Sequence, residues 1–235
     1  MLWPKKESKT DKKVHVADFD SAEDSMAEAF RMLRLHLDHL LDKHSLDSKG
    51  KTLLITSALP NEGKTTVASN LSLAAASSGR KTLLIDSDCK NPFVHKAFNC
   101  PRSPGLTDYL LDHPETGPVM SSNIHENLKV LSAGRKVKQS HELLLSKDFD
   151  VMMARFKQHY DLIVLDSPPI GMVADAGIIA SKVNHIYMAV RTGKTSFKTI
   201  EKATQSLMKL GVNIDGVIMT RCNLKKNKYY YYSNY

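Results

Sequence analysis

The run Thr52–Thr56 is short and apolar, and the ten residues after it constrain the fold more than any other stretch. They read Ser57-Ala58-Leu59-Pro60-Asn61-Glu62-Gly63-Lys64-Thr65-Thr66, and a helical pattern continues over 65–78. A strand, a loop ending in Gly-Lys-Thr and a helix together make a cradle for phosphate. Backbone N–H groups point into the loop, and the helix adds its positive N-terminus. Gly63 lets the backbone approach closely, Lys64 reaches the β- and γ-phosphates, and Thr65 offers its hydroxyl to Mg2+. Ala58 takes the first position of the pattern. Asn61 stands where glycine is easiest, but Asn tolerates left-handed geometry better than most residues. Asn61, Glu62, Gly63, Lys64, Thr65 and Thr66 are therefore the candidate nucleotide-binding residues.

Similar apolar runs recur along the chain. Strands are predicted at Thr52–Thr56, Thr82–Ile85, Leu128–Leu131, Leu162–Leu165, His185–Val190 and Gly216–Met219. Between them lie helical stretches at 65–78, 106–112, 141–158, 173–182 and 196–210. In 141–158, Leu145, Phe149, Met152 and Phe156 recur at helical spacing. Strands alternating with helices predict an α/β fold: a mostly parallel central sheet with helices on both faces, in a single domain. Ligands of such sheets bind at the carboxyl ends of the strands.

Two further strand ends are acidic. One reads Leu83-Leu84-Ile85-Asp86-Ser87-Asp88, the other Ile163-Val164-Leu165-Asp166-Ser167-Pro168-Pro169. An aspartate there can hold Mg2+ directly or through water, and one Mg2+ needs only one or two carboxylates. Three aspartates beside one nucleotide leave one free for proton transfer.

The 235 residues divide into a lysine-rich segment 1–20, a folded body 21–224 and a tail 225–235. Segment 1–20 is read as flexible or extended. The chain carries 33 basic and 25 acidic residues, a net charge of +8, with the lysines concentrated towards its ends. No motif for reading DNA or RNA accompanies that charge, so nucleic acid is not an expected partner. No run approaches the length of a membrane span, and the charged N-terminus lacks a signal-peptide core, so a cytoplasmic chain is expected. The three cysteines are scattered and form no CxxC pair, which excludes a disulfide scaffold.

The tail, Lys225-Lys226-Asn227-Lys228-Tyr229-Tyr230-Tyr231-Tyr232-Ser233-Asn234-Tyr235, holds five of the eight tyrosines. Tyrosines outside a packed core lose the burial that normally justifies them. Nearer the other end, Glu28, Arg31 and Arg34 stand three apart and share one helix face. Phe30, Leu33, Leu37 and Leu41 form a separate apolar stripe.

The phosphate loop and the two acidic runs together resemble the P-loop ATPases with a second Walker-A-like motif. Within that group, related to the cell-division and partitioning ATPases, the chain is similar to the bacterial tyrosine kinases of capsule and exopolysaccharide export. The resemblance covers roughly residues 25–224 and the tail. It includes Lys90-Asn91-Pro92 with His95 and Phe98, Gly105-Leu106-Thr107-Asp108-Tyr109-Leu110, and Asp175-Ala176. It implies an ATP- and Mg2+-dependent protein-tyrosine kinase that phosphorylates its own tail at Tyr229, Tyr230, Tyr231, Tyr232 and Tyr235. Lys64 would bind the phosphates, Asp86 would deprotonate or orient the attacking tyrosine, and Thr65, Asp88 and Asp166 would hold Mg2+. Glu28, Arg31 and Arg34 would close a ring-like homo-oligomer in which each tail reaches a neighbour.

The implied partners are a transmembrane activator, a polysaccharide chain-length regulator that recruits the kinase to the inner face of the membrane, then a cognate tyrosine phosphatase and other protein substrates. Some residues depart from the family pattern: Asn61 replaces glycine, Lys90 arginine, Gln139-Ser140-His141 an Asn-Pro segment, and Thr220 an asparagine near the base. The alternative is an ATPase switch of the division-site or partitioning kind, without kinase activity. Its relatives carry a signature lysine five residues before the catalytic one, where this chain has Leu59.

Overall fold

The structure is a computed structural model that describes residues 14–21, 24–43, 50–113, 118 and 120–222. The tyrosine cluster lies outside the described residues. The predicted strands are all present: β1 (Lys51–Ser57), β2 (Thr82–Asp86), β4 (Leu128–Leu131), β5 (Leu162–Asp166), β6 (His185–Arg191) and β7 (Gly216–Thr220). One further strand, β3 (Ser121–His125), completes a seven-stranded sheet of order β3-β4-β2-β5-β1-β6-β7. Its sequence, Ser-Ser-Asn-Ile-His, has one apolar residue and so no strand signal of its own. It pairs antiparallel to β4 at the sheet edge, while the other neighbours are parallel.

β1, β2 and β5 are buried along their whole length, as expected of parallel strands covered on both faces. One face carries α1 (Ser25–Lys43) and α2 (Lys64–Ser77), with Leu37, Val67, Ala68, Leu71 and Ala75 packed against Leu53, Ile55 and Val164. The other carries α4 (Leu106–Asp112), α5 (Ser140–Leu145), α6 (Lys147–His159), α7 (Ala174–Ala180) and α8 (Phe197–Met208). A short α3 (Val94–Ala97) follows β2. The small residues of α2, among them Ala68, Ser69, Ser72, Ala74, Ala75 and Ala76, are buried.

The predicted helix 141–158 is two helices. Ser146 adopts extended backbone (φ −64°, ψ 154°) and its hydroxyl accepts the Phe149 N–H at 3.3 Å, capping α6. A local side-chain bond thus overrides the helical period. Phe149, Met152 and Phe156 are buried, whereas Leu145, at the end of α5, is 58% exposed. On α1, Leu37 is buried, and Phe30 and Leu33 pack against the same cluster. Residues 14–18 have no regular structure, yet Ala17 is buried. Its N–H reaches Asn70 Oδ1 at 2.7 Å, and Asn70 Nδ2 donates to His15 O at 2.8 Å.

Candidate active site at three adjacent strand ends

β2, β5 and β1 are neighbours, so their carboxyl ends bring the two acidic runs beside the phosphate loop. Asp86 and Asp166 are register partners, and Asp166 is also the partner of Ile55 on β1. The loop leaves β1 with two left-handed residues, Asn61 (φ 64°) and Gly63 (φ 92°), the second standing just before α2. Left-handed turns of this kind aim backbone N–H groups into one concavity. A Cβ at Gly63 would press on the Thr220 side chain at 3.3 Å and would also require strained backbone.

The Lys64 ammonium lies 3.4 Å from Asp88 Oδ2, and both side chains are nearly enclosed. Asp88 Oδ1 accepts the Asn91 N–H at 3.0 Å. Asp86 is fully buried; Oδ1 accepts from Asp88 N at 3.2 Å, and Oδ2 from Phe93 N and Val94 N at 3.1 and 3.0 Å. Burial, then the nearby Asp166 charge, push the Asp86 carboxyl well above the usual carboxylate range, while the Val94 N–H pulls it back in part.

Asp166 differs from both. Its two carboxylate oxygens are buried and complete no hydrogen bond. Burial pushes this carboxyl up to about 6, with Lys64 and the Thr65 hydroxyl pulling down and Asp88 pushing up. An unsatisfied buried carboxylate is costly and rare in a native protein. Two hard oxygens that complete no hydrogen bond, close to the Thr65 hydroxyl, fit a site for Mg2+.

Of the predicted loop residues, Glu62 points elsewhere. Its side chain is buried and serves the loop itself, with Oε2 accepting the Leu59 N–H at 2.7 Å and Oε1 bonding Thr195. Thr195 was not predicted; it lies in a polar turn after β6 with no motif to mark it. A second unpredicted pair is Ser140 and Asp175, whose hydroxyl and Oδ2 meet at 2.5 Å in the interior. Asp175 Oδ1 has no hydrogen bond there. Burial, with the charges of Asp86, Asp175 and Asp88, raises the nearby Cys89 thiol to about 12, so it stays protonated and unreactive.

Glu28, Arg31 and Arg34 lie on α1. Arg31 Nη1 meets Glu28 Oε2 at 3.1 Å, and Arg31 Nη2 donates to Phe19 O at 2.8 Å. Arg34 turns to Asp38 at 2.6 Å, and Asp38 also meets Arg80 at 2.7 Å.

A phosphate loop flanked by two acidic strand ends on a mostly parallel sheet defines a P-loop nucleotide-binding protein. Residues 52–215 match the family described as AAA domain. The chain is 30% identical over 213 residues to "Putative tyrosine-protein kinase CapB" of Staphylococcus aureus, covering 91% of this chain and 92% of the relative. It is 35% identical to "Tyrosine-protein kinase CpsD" of Streptococcus pneumoniae, covering 77% and 80%. Among solved structures, the kinase domain of the Escherichia coli tyrosine kinase ETK superposes with a TM-score of 0.76 at 30% identity, over 86% of this chain and 79% of that one. The chain belongs to the bacterial tyrosine kinases of the P-loop class, and it is a nucleotide-binding protein-tyrosine kinase.

Proposed function

We propose that this kinase, with ATP and Mg2+, phosphorylates Tyr229, Tyr230, Tyr231, Tyr232 and Tyr235 of neighbouring copies within a ring-like homo-oligomer. The observation that supports it best is the buried Asp166 carboxylate, whose oxygens complete no hydrogen bond, next to the Lys64–Asp88 pair. Lys64 and the loop N–H groups bind the β- and γ-phosphates and orient the γ-phosphoryl group for in-line attack. Thr65, Asp88 and Asp166 would hold Mg2+, which when bound would supply positive charge beside the phosphate oxygens. Asp86 takes the phenol proton. The tyrosine oxygen forms the new bond to the γ-phosphorus, the bond to the bridging β–γ oxygen breaks, and ADP leaves. A free phenol titrates near 10, so a carboxyl raised by burial is a better-matched proton acceptor than an ordinary one.

Glu28, Arg31 and Arg34 form the contact between copies. A transmembrane activator holds the ring at the inner face of the membrane, a cognate phosphatase resets it, and the cycle regulates capsule or exopolysaccharide synthesis and export, along with other protein substrates. Each phosphotyrosine adds about −1.5 to −2 charges, so a modified tail is repelled from the aspartates and the ring loosens. Support comes from the tail's composition and from membership of the kinase family. The test is a phosphosite map after incubation with ATP and Mg2+, with and without the activator's cytoplasmic tail, beside Lys64→Met. Phosphate on the tail tyrosines, absent in the variant, is expected. ATP hydrolysis without phosphotyrosine in either condition would overturn the reading.

A further inference from the structure

We propose that Glu62 is a positioning residue: its side chain and carbonyl pin the phosphate loop to the ends of β6 and β7, and this pin sets the affinity for ATP. The proposal rests on the loop being the nucleotide site, and it assigns roles to Thr195 and Thr220 that the phosphate chemistry does not require.

Glu62 lies between the two left-handed residues of the loop, Asn61 and Gly63. It is only 2% exposed, which is unusual for a glutamate. Three contacts account for that burial. Oε2 accepts the Leu59 N–H at 2.7 Å across the base of the loop. Oε1 accepts the Thr195 hydroxyl, and the Glu62 carbonyl accepts the Thr220 hydroxyl at 2.6 Å. The two threonines belong to one corner. Thr195 N donates to Arg191 O at 3.2 Å, and Thr192 N donates to Thr220 O at 3.1 Å, tying the turn after β6 to the last residue of β7.

The electrostatics give this arrangement a purpose. A carboxylate within a loop that receives phosphates repels them unless it is turned away and its charge is satisfied by donors. Here both oxygens are occupied, Oε2 by the Leu59 N–H at the base of the loop and Oε1 by the Thr195 hydroxyl beyond β6. Without the pin, the loop has to find its left-handed geometry anew each time ATP binds, so the ordering cost falls on binding.

Titration calorimetry of the full chain with ATP and Mg2+ tests this, and it reads binding whether or not phosphate is transferred. Glu62→Ala is expected to raise Kd about tenfold, since it removes two bonds to a charged group. Glu62→Gln can still accept from Leu59 and donate to Thr195, so it is expected to recover most of that loss. Thr195→Val and Thr220→Val keep the shape and remove one hydroxyl each; each is expected to raise Kd a few-fold. In turnover, KM for ATP should rise with kcat little changed. A Glu62→Ala Kd within about twofold of the natural protein, or a Glu62→Gln as weak as Glu62→Ala, overturns the proposal. Should Glu62→Ala fail to fold, natural Kd values in both threonine variants overturn it.

Discussion

Asp166 is fully buried with neither carboxylate oxygen completing a hydrogen bond, whereas Asp38 on α1, partly exposed, is held by two arginines at 2.6 and 2.7 Å. The two regions treat charge in opposite ways. On α1 the ionic groups satisfy one another near solvent, where such pairs contribute at most about 1 kcal/mol each. At the strand ends, carboxylates that burial penalises are kept side by side, and one of them lacks even a hydrogen bond. That arrangement destabilises the nucleotide-free protein and becomes reasonable only with a cation and phosphates in place. The difference also bears on the proposed ring. Arg31 and Arg34 are already engaged within their own chain, so a contact between copies has to exchange those bonds rather than recruit idle charges.

Replacing Lys64 should have the largest effect. Lys64→Met leaves Asp88 without its cation and is expected to lower tail phosphorylation about a thousandfold, read by quantitative phosphotyrosine mass spectrometry. On α1, Arg31→Ala with Arg34→Ala should abolish the large assembly in sedimentation, and tail phosphorylation should fall about tenfold because a transfer between copies becomes dilute. Its melting temperature should move little, which separates assembly from folding.

A pH titration sharpens the contrast. The folded-state pKa of Asp166, about 6, lies above the ordinary 3.8, so the folded protein binds this proton more tightly than the unfolded chain. This group's contribution to the stability of the nucleotide-free protein should therefore increase as pH falls through about 6 and level off near the ordinary value. Mg2+-dependent ATP affinity should run the other way, weakening below pH 6 by up to about tenfold per unit as the proton competes with the cation. The smallest effect belongs to Arg80→Ala, which removes one of two partners of Asp38 and should cost less than about 1 kcal/mol in urea unfolding.

Much of the site was legible because chemistry and fold share the same short stretches. The apolar runs ending at Ser57, Asp86 and Asp166 are both strand signals and donors of the loop and acids. What the sequence hid is non-local or purely geometric. β3 has no apolar alternation and exists because β4 offers an edge. The break at Ser146 depends on one hydroxyl turning back to its own backbone. Thr195 is 133 residues from Glu62, and only the order β1-β6-β7 brings its turn to the loop. The spacing of Glu28, Arg31 and Arg34 was visible, but Asp38 and Arg80 as partners of this cluster were not.

Asp166→Asn removes the buried charge and keeps the shape. Melting of the full chain would be followed with and without ATP and Mg2+, alongside tail phosphorylation. The variant should melt a few degrees higher than the natural protein without nucleotide, gain little from ATP and Mg2+, and leave the tail unphosphorylated. A variant that melts lower without nucleotide and still phosphorylates its tail would mean that the Asp166 charge is neither a cost to the free protein nor needed for phosphate transfer.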